Sequence, residues 1–505
     1  MTQDFASILS EWAARTPDAP ALTFGDESWS FGDFDKLASR SARALAASGL
    51  KPGDRVGVLS RNCAEFYELL FACSKANVIL VGLNWRLSAM ELEAIIADAE
   101  PALIFYGESE GALLSPEVRS RPGLRGVLRF GEDFRAWRDT GSGAAADAPR
   151  TPDDVAMILY TSGTTGLPKG SMLTHHGLSF TRQLGENWGM GPDSVNLVAM
   201  PLFHIGGCGY GTSTFLRGGH TILMREADPA RLIEAIERHR VTNAFFVPTV
   251  LQSILDVPIV KEADLSSLSL LMYGASPIGE ALLRRALDVL DCGFIQAYGM
   301  TETSGTIVTL EPSDHHLEGP GAERLRSCGR VLPFAQIRIT DVATLTECAP
   351  GQVGEIWVRS AMVMKGYWRQ PSATAEAITA DGWLRTGDAA FCDEDGFIHL
   401  FDRYKDMIIS GGENIYPAEI ENALLFHPEV AEVAVIGVPH ERWGETPRAI
   451  VVPGPVRTPD PQDLIDFART RLARYKCPTS VIFVQSLPRN ASGKLLKKEL
   501  RRLYR

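Results

Sequence analysis

Residues 55–81 read RVGVLSRNCAEFYELLFACSKANVILV, and three pieces of this stretch decide the fold. Arg55-Val56-Gly57-Val58-Leu59 is an apolar run of strand length, Ala64 to Lys75 suits a helix, and Val78-Ile79-Leu80-Val81 is a second apolar run. Strand, helix and strand at this spacing form a βαβ unit, which implies parallel strands in a sheet covered by helices on both faces. Upstream, Phe34, Leu37, Ala38, Ala42 and Leu45 recur at helical spacing, Gly49 supplies a stop and Pro52-Gly53 a turn.

Downstream, residues 139–154 are poor in large apolar side chains and rich in Gly, Ala, Pro and Asp, a linker that predicts the start of a new sub-domain. From Val155 to about Val308 the α/β alternation resumes, with strands expected at 156–160, 244–247 and 269–273. Between about Gly329 and Leu400 the segments shorten and become β-like, with turns at Pro350-Gly351, Asp381-Gly382 and Asp395-Gly396. Beyond the charged connector at 402–406 the pattern predicts a compact α+β unit: helix 417–425, strands 430–438 and 449–452, helix 461–474 and strand 481–484. The expected fold class is α/β, with two α/β sub-domains and a small β-rich one in residues 1–402 and an α+β domain in 403–505.

The chain has 505 residues, 45% apolar and 22% charged, so a multi-domain globular protein is expected. A net charge of −12 repels nucleic acid and anionic membrane, so a phosphate-bearing ligand requires a local site. Eight cysteines without a C-x-x-C pair read as free thiols in a reducing compartment, and the pairs His175-His176 and His315-His316 read as surface or loop histidines. The N-terminus lacks the features of a secretory signal and no long apolar run suggests an integral membrane segment; a cytoplasmic location is expected.

Thr161-Ser162-Gly163-Thr164-Thr165-Gly166-Leu167-Pro168-Lys169-Gly170 gathers small, hydroxylated and glycine residues around one lysine, after an apolar strand. Nothing bulky blocks a polyphosphate from its backbone N–H groups and hydroxyls. It is not a Walker A loop, since Pro168 precedes the lysine and Gly170 follows it. Taken alone, the segment also reads as a turn.

Four further segments accompany it. They are Met200-Pro201-Leu202-Phe203-His204-Ile205-Gly206-Gly207, Gln296-Ala297-Tyr298-Gly299-Met300-Thr301-Glu302-Thr303, Gly382-Trp383-Leu384-Arg385-Thr386-Gly387-Asp388 followed by Asp402-Arg403, and Pro488-Arg489-Asn490-Ala491-Ser492-Gly493-Lys494. With these in order and spacing, the chain resembles the acyl-adenylate-forming superfamily of acyl-CoA synthetases, luciferases and peptide-synthetase adenylation domains over essentially its whole length.

The resemblance implies an ATP-dependent carboxylic acid:coenzyme A ligase with a mobile C-terminal domain, using ATP, Mg²⁺ and coenzyme A. It implies catalytic roles for Lys494, Thr301, Glu302 and His204, with Glu302 as the magnesium-linked acid. Nucleotide and CoA contacts are implied for Thr161, Ser162, Gly163, Thr164, Thr165, Lys169, Gly274, Ala275, Ser276, Gln296, Tyr298, Gly299, Met300, Asp388, Arg403, Ser410, Gly411 and Gly412. Lys405 matches the hinge. The acyl pocket is expected to draw on His204, Cys208, Phe246, Val247, Gly274, Gly299, Met300 and Ser304. A medium- or long-chain fatty acid is the first expected substrate, and an aryl or cinnamate-type acid the alternative. A stand-alone adenylating enzyme that loads a carrier protein, and a non-catalytic acyl or nucleotide sensor, are rival readings. The expected partners are the small-molecule acid, ATP and CoA, with no nucleic acid, and a homodimer is the expected assembly.

Overall fold

In the computed structural model, strand Arg55–Leu59 lies parallel to Ile79–Leu83, with Val56 opposite Leu80 and Val58 opposite Gly82, and helix Ala64–Ala76 joins them. The structure describes residues 5–142, 148–161, 168–276, 278–403, 406–410, 413–455, 457–489 and 495–505. The helix ends where Asn77 adopts a left-handed conformation (φ 52°), a position asparagine tolerates better than most residues.

This pair is the centre of a six-stranded sheet. Leu103–Tyr106 and Gly126–Arg129 extend it on one side in parallel, and Val155–Thr161 joins the other side parallel to Ile79–Leu83. Lys169–Thr174 closes that edge as an antiparallel partner of Val155–Thr161. The expectation that residues 139–154 open a new sub-domain is therefore corrected. The segment carries the chain back to its first sheet, because the apolar strand that follows finds its hydrogen-bonding partner on Ile79–Leu83.

A nine-stranded sheet comes next, and it recruits Pro20–Phe24 and Glu27–Ser30 from the start of the chain. Its parallel centre comprises Gly293–Met300, Leu270–Gly274, Asn243–Phe246, Val195–Val198 and His220–Leu223. The β-rich region of 335–403 is a four-stranded antiparallel sheet: Ala335–Thr340, Gly354–Ser360, Leu384–Cys392 and Ile398–Arg403.

The C-terminal α+β unit holds a five-stranded sheet whose longest members are Val430–His440 and Gly444–Pro453. Alternation along Val430–His440 sends Val433 and Val435 to one face, with helices Pro417–Leu425 and Pro461–Arg469. Ala434, Ile436 and Val438 go to the other face, where Leu500 of the basic helix Lys497–Tyr504 packs fully buried. The helix expected over 461–474 stops at Arg469, and the chain then turns to bring Ser480–Phe483 parallel to Gly444–Pro453. Phe401 stacks on Tyr416, 4.5 Å between ring centroids, linking this unit to the four-stranded sheet.

All eight cysteines are free thiols. The surface or loop reading of the histidine pairs is corrected at His175, while His315 is a half-buried loop residue. His175 is fully buried at the start of helix His175–Ser179, and His315 lies 3.0 Å from the Tyr273 hydroxyl and 2.8 Å from the Glu311 carbonyl. Among the described residues no helix is long and apolar enough to cross a membrane.

Candidate active site

Strands Asn243–Phe246, Leu270–Gly274 and Gly293–Met300 run parallel. In open parallel sheets ligands bind beyond the carboxyl ends of the strands. At that end, Met300 leads through a short 3₁₀ turn, Thr301–Thr303, into the antiparallel strand Gly305–Leu310, with a bulge between Tyr298 and Gly299. Two non-glycine residues here hold left-handed backbone, Ala275 (φ 63°) and Ser304 (φ 51°). Such conformations cost energy and cluster at functional sites.

The turn presents Glu302, which is 6% exposed. Its Oε1 accepts from the Thr161 hydroxyl at 3.3 Å and from the Tyr367 hydroxyl at 3.2 Å. Thr161 is the last residue of strand Val155–Thr161 and pairs with Lys169, so both ends of the expected phosphate loop lie beside this carboxylate. The Lys169 ammonium stands 5.0 Å from the Tyr367 ring centroid. Tyr367 is held by the backbone of its neighbours: Trp368 N–H donates to Gly170 and Met172 N–H to Gly366. Tyr367 carries no motif signal, and its part in the site emerges only from this crossing of the chain.

On the other side of Glu302, the Tyr298 hydroxyl donates to Asp388 Oδ2 at 2.8 Å. Burial, and then the Asp388 charge, push the Tyr298 phenol well above its ordinary pKa, so it remains a donor. Asp388 is placed by the left-handed Gly387 (φ 73°), whose N–H donates to Glu355, and it sits opposite Arg403 in the ladder. Gln296, two residues before Tyr298 on the same strand, has a buried Oε1 without a hydrogen-bond partner.

His204 precedes helix Ile205–Phe215 as its N-cap. Asn62 fixes the approach to it: its amide donates to the carbonyls of Met200 (3.1 Å) and Met224 (3.0 Å), and its oxygen accepts from Leu202 N–H (3.0 Å). Burial, aided by the Arg86 charge, pushes the His204 imidazole down to about 4, so it is neutral at pH 7. Its Nε2 is buried without a hydrogen-bond partner.

A cavity of about 80 Å³ adjoins this group. Ile205, Gly206, Gly209 and Tyr210 line it from one helix face, Phe245, Met272, Ala275, Ala297 and Gly299 from the strand ends, and Thr181, Leu184 and Trp188 from the facing helix. Ser304, Gly305 and Thr306 complete the wall. Of the expected pocket residues, Gly299 and Ser304 line the cavity, while His204, Phe246, Val247, Cys208, Gly274 and Met300 do not.

Each of these departures has a geometric cause. On strand Asn243–Phe246 side chains alternate, so Phe245 faces the cavity and Phe246 the opposite side. On helix Ile205–Phe215 the i, i+3, i+4 positions 206, 209 and 210 face inward, which turns Cys208 toward Met157 Sδ at 3.8 Å. Val247 starts the next helix as its N-cap, and His204 stands one residue before the wall begins. Gly274 answers a packing need: a Cβ there would collide with the Ala297 carbonyl oxygen. A Cβ on Gly299 would collide likewise with Gly305. Met300 is half-buried where the strand meets the 3₁₀ turn.

Thr301 opens the turn that carries Glu302, and Ser276 follows the strand end at Gly274. Ser410 closes strand Ile408–Ser410 in the C-terminal unit, paired with Glu413. Ser162, Gly163, Thr164, Thr165, Lys405, Gly411, Gly412 and Lys494 lie outside the described residues. Among the described residues no cluster of three or more His, Cys, Asp or Glu could hold a metal.

Residues 9–368 match the AMP-binding enzyme family and residues 419–494 match the AMP-binding enzyme C-terminal domain. A fatty acid–[acyl-carrier-protein] ligase, ScoC, of Streptomyces coeruleorubidus is 39% identical over 99% of this chain and 96% of its own. A feruloyl-CoA synthase of an Amycolatopsis species is 40% identical over 98% of this chain and 99% of its own. Among solved structures, ATP-bound MatB from Rhodopseudomonas palustris superimposes with a TM-score of 0.91 at 32% identity, covering 99% of each chain.

Proposed function

The chain belongs to the AMP-binding enzyme family, and on that premise we propose that it joins a carboxylic acid to coenzyme A, driven by ATP, through an acyl-adenylate. The observation that carries the reading is the meeting of Glu302, the ends of the 161–170 loop and the Tyr298–Asp388 pair beside one largely apolar cavity. The acid's oxygen attacks the α-phosphorus of ATP and pyrophosphate leaves. The thiol of CoA then attacks the acyl carbon, loses its proton and expels AMP.

The residues divide the work by their chemistry. The 161–170 loop offers N–H groups, hydroxyls and Lys169 to the phosphates, and Lys494 adds a charge there by resemblance. Asp388 accepts from the ribose hydroxyls, and its bond from Tyr298 orients the carboxylate. His204, neutral and with an unpartnered Nε2, bonds the acid's carboxylate when the proton sits on that nitrogen.

Mg²⁺ fits the donor set. Such an ion takes one or two carboxylates together with substrate phosphates, and both hydroxyl bonds to Glu302 fall on Oε1. When bound it would offset charge building on the phosphates.

We assign residues 1–402 and 403–505 to separate domains, the second swinging about Lys405 between adenylation and thioester formation. The wall of the cavity is largely apolar. Three aromatic walls, Trp188, Tyr210 and Phe245, favour an aryl acid over a long aliphatic chain, since ring pairs add about 0.5–1.5 kcal/mol beyond their burial. ATP–pyrophosphate exchange with a panel of aliphatic and aromatic acids, followed by CoA or holo carrier protein, tests the reading. Exchange and CoA thioester are expected; thioester on carrier protein alone would assign the acceptor otherwise, and ATP binding without exchange would overturn the ligase.

A further inference from the structure

Helix Ile205–Phe215 carries four glycines, at 206, 207, 209 and 211. Glycine within a helix is less stable than alanine, so each calls for a reason. None of the four has a positive φ, so backbone conformation supplies none. Packing supplies one for two of them. A Cβ on Gly207 would collide with the Pro201 carbonyl oxygen, and a Cβ on Gly211 with the Tyr67 hydroxyl.

The other two have room. A Cβ on Gly206 would meet nothing nearer than the edge of the Phe245 ring at 3.4 Å, an ordinary contact. A Cβ on Gly209 would meet the Ile205 δ-methyl at 3.0 Å, the free end of a side chain that can turn to another rotamer. These two, i and i+3 on one face of the helix, line the cavity described above, whereas Gly207 and Gly211 do not. At both positions the helix therefore shows bare backbone to the cavity without any demand from the fold. In a cavity of about 80 Å³ a single added methyl group at either one is felt.

We propose that Gly206 and Gly209 are specificity determinants: their missing side chains admit the body of the acid against the helix backbone and set the width of acid that enters. The inference rests on reading the cavity as the acyl pocket of the proposed ligase.

The test is ATP–pyrophosphate exchange with acids graded in width, from octanoic acid through cinnamic acid to ring-methoxylated cinnamic acids, in the wild-type protein, Gly206→Ala and Gly209→Ala. Among the acids that the wild-type protein exchanges, the ratio of kcat/KM for the widest over the narrowest is expected to fall by about tenfold or more in each variant, as one methylene of lost room does in an apolar pocket. Where a single acid is exchanged, its kcat/KM takes the place of the ratio. The Kd for ATP should be unchanged and the melting temperature equal or higher, since alanine replaces glycine where a Cβ has room. Gly207→Ala is the contrasting case: its collision with backbone should lower the melting temperature and lower exchange for all acids alike.

A ratio unchanged in either variant, or an equal loss for wide and narrow acids, would overturn this inference alone and leave the ligase standing. So would a fall in the melting temperature of Gly206→Ala and Gly209→Ala as large as that of Gly207→Ala, which would show a packing need in place of a substrate one. No exchange with any acid, despite ATP binding, would overturn the ligase reading and this inference with it.

Discussion

The Tyr298 hydroxyl donates to Asp388 across 90 positions of sequence, tying the nine-stranded sheet to the four-stranded one at the site. A bond to a charged carboxylate contributes about 1.5–3 kcal/mol. Tyr298→Phe is expected to raise the KM for ATP about tenfold or more, measured by exchange against ATP concentration. The phenol's pKa is raised in the folded state, so the stability it contributes is complete below the unfolded value of about 10 and is lost as pH rises beyond it. Above pH 10 the wild-type melting temperature should fall more steeply than that of Tyr298→Phe.

Glu302→Gln keeps an oxygen able to accept from Thr161 and Tyr367 and removes only the charge. Exchange is expected to drop by about a hundredfold or more, with melting little changed, because charge placed at a reacting phosphate is worth most in a dry site. A glutamine variant that retained full exchange would reduce Glu302 to a packing role.

His204 has a depressed folded pKa, about 4 against 6.5, so its contribution to stability is present above pH 6.5 and is lost as pH falls toward 4. Denaturant midpoints followed from pH 7 to 4 should fall further for the wild-type protein than for His204→Gln. The acid limb of kcat/KM for the carboxylic acid should show no break near 6.5.

Gly274→Ala places a methyl group against the Ala297 carbonyl of the neighbouring strand. Backbone cannot yield as a side chain can, and a loss of about 1–3 kcal/mol is expected in urea unfolding. A stability equal to that of the wild-type protein would show that the two strands have room to part.

Lys494→Ala is expected to abolish exchange and spare thioester formation from pre-made acyl-adenylate, whereas Lys405→Pro, which fixes φ at the connector, should do the reverse. Equal loss of both steps in Lys494→Ala would refute the two-pose scheme.

Much of this molecule is legible in one dimension. The apolar runs at 55–59 and 78–81 announce a parallel pair, and the pair forms, because period and run length are local properties of the chain. The five motif segments likewise identify the family, since chemistry at phosphates needs particular residue types in particular order.

Partners and phase are a different matter. Pro20–Phe24 lies parallel to His220–Leu223, and Val155–Thr161 returns to the first sheet, through pairings that burial of whole faces selects and no local pattern encodes. The cavity wall turned on phase: a strand's alternation says that Phe245 and Phe246 face apart, but only packing decides which one meets the cavity. The sequence by itself determined the α/β alternation and the family to which the chain belongs. The tertiary structure alone decided that Tyr298 meets Asp388, that Tyr367 meets Glu302, and that Thr181, Trp188 and Ser304 line one cavity with Phe245 and Met272, because those meetings depend on sheets and helices distant in sequence packing against each other.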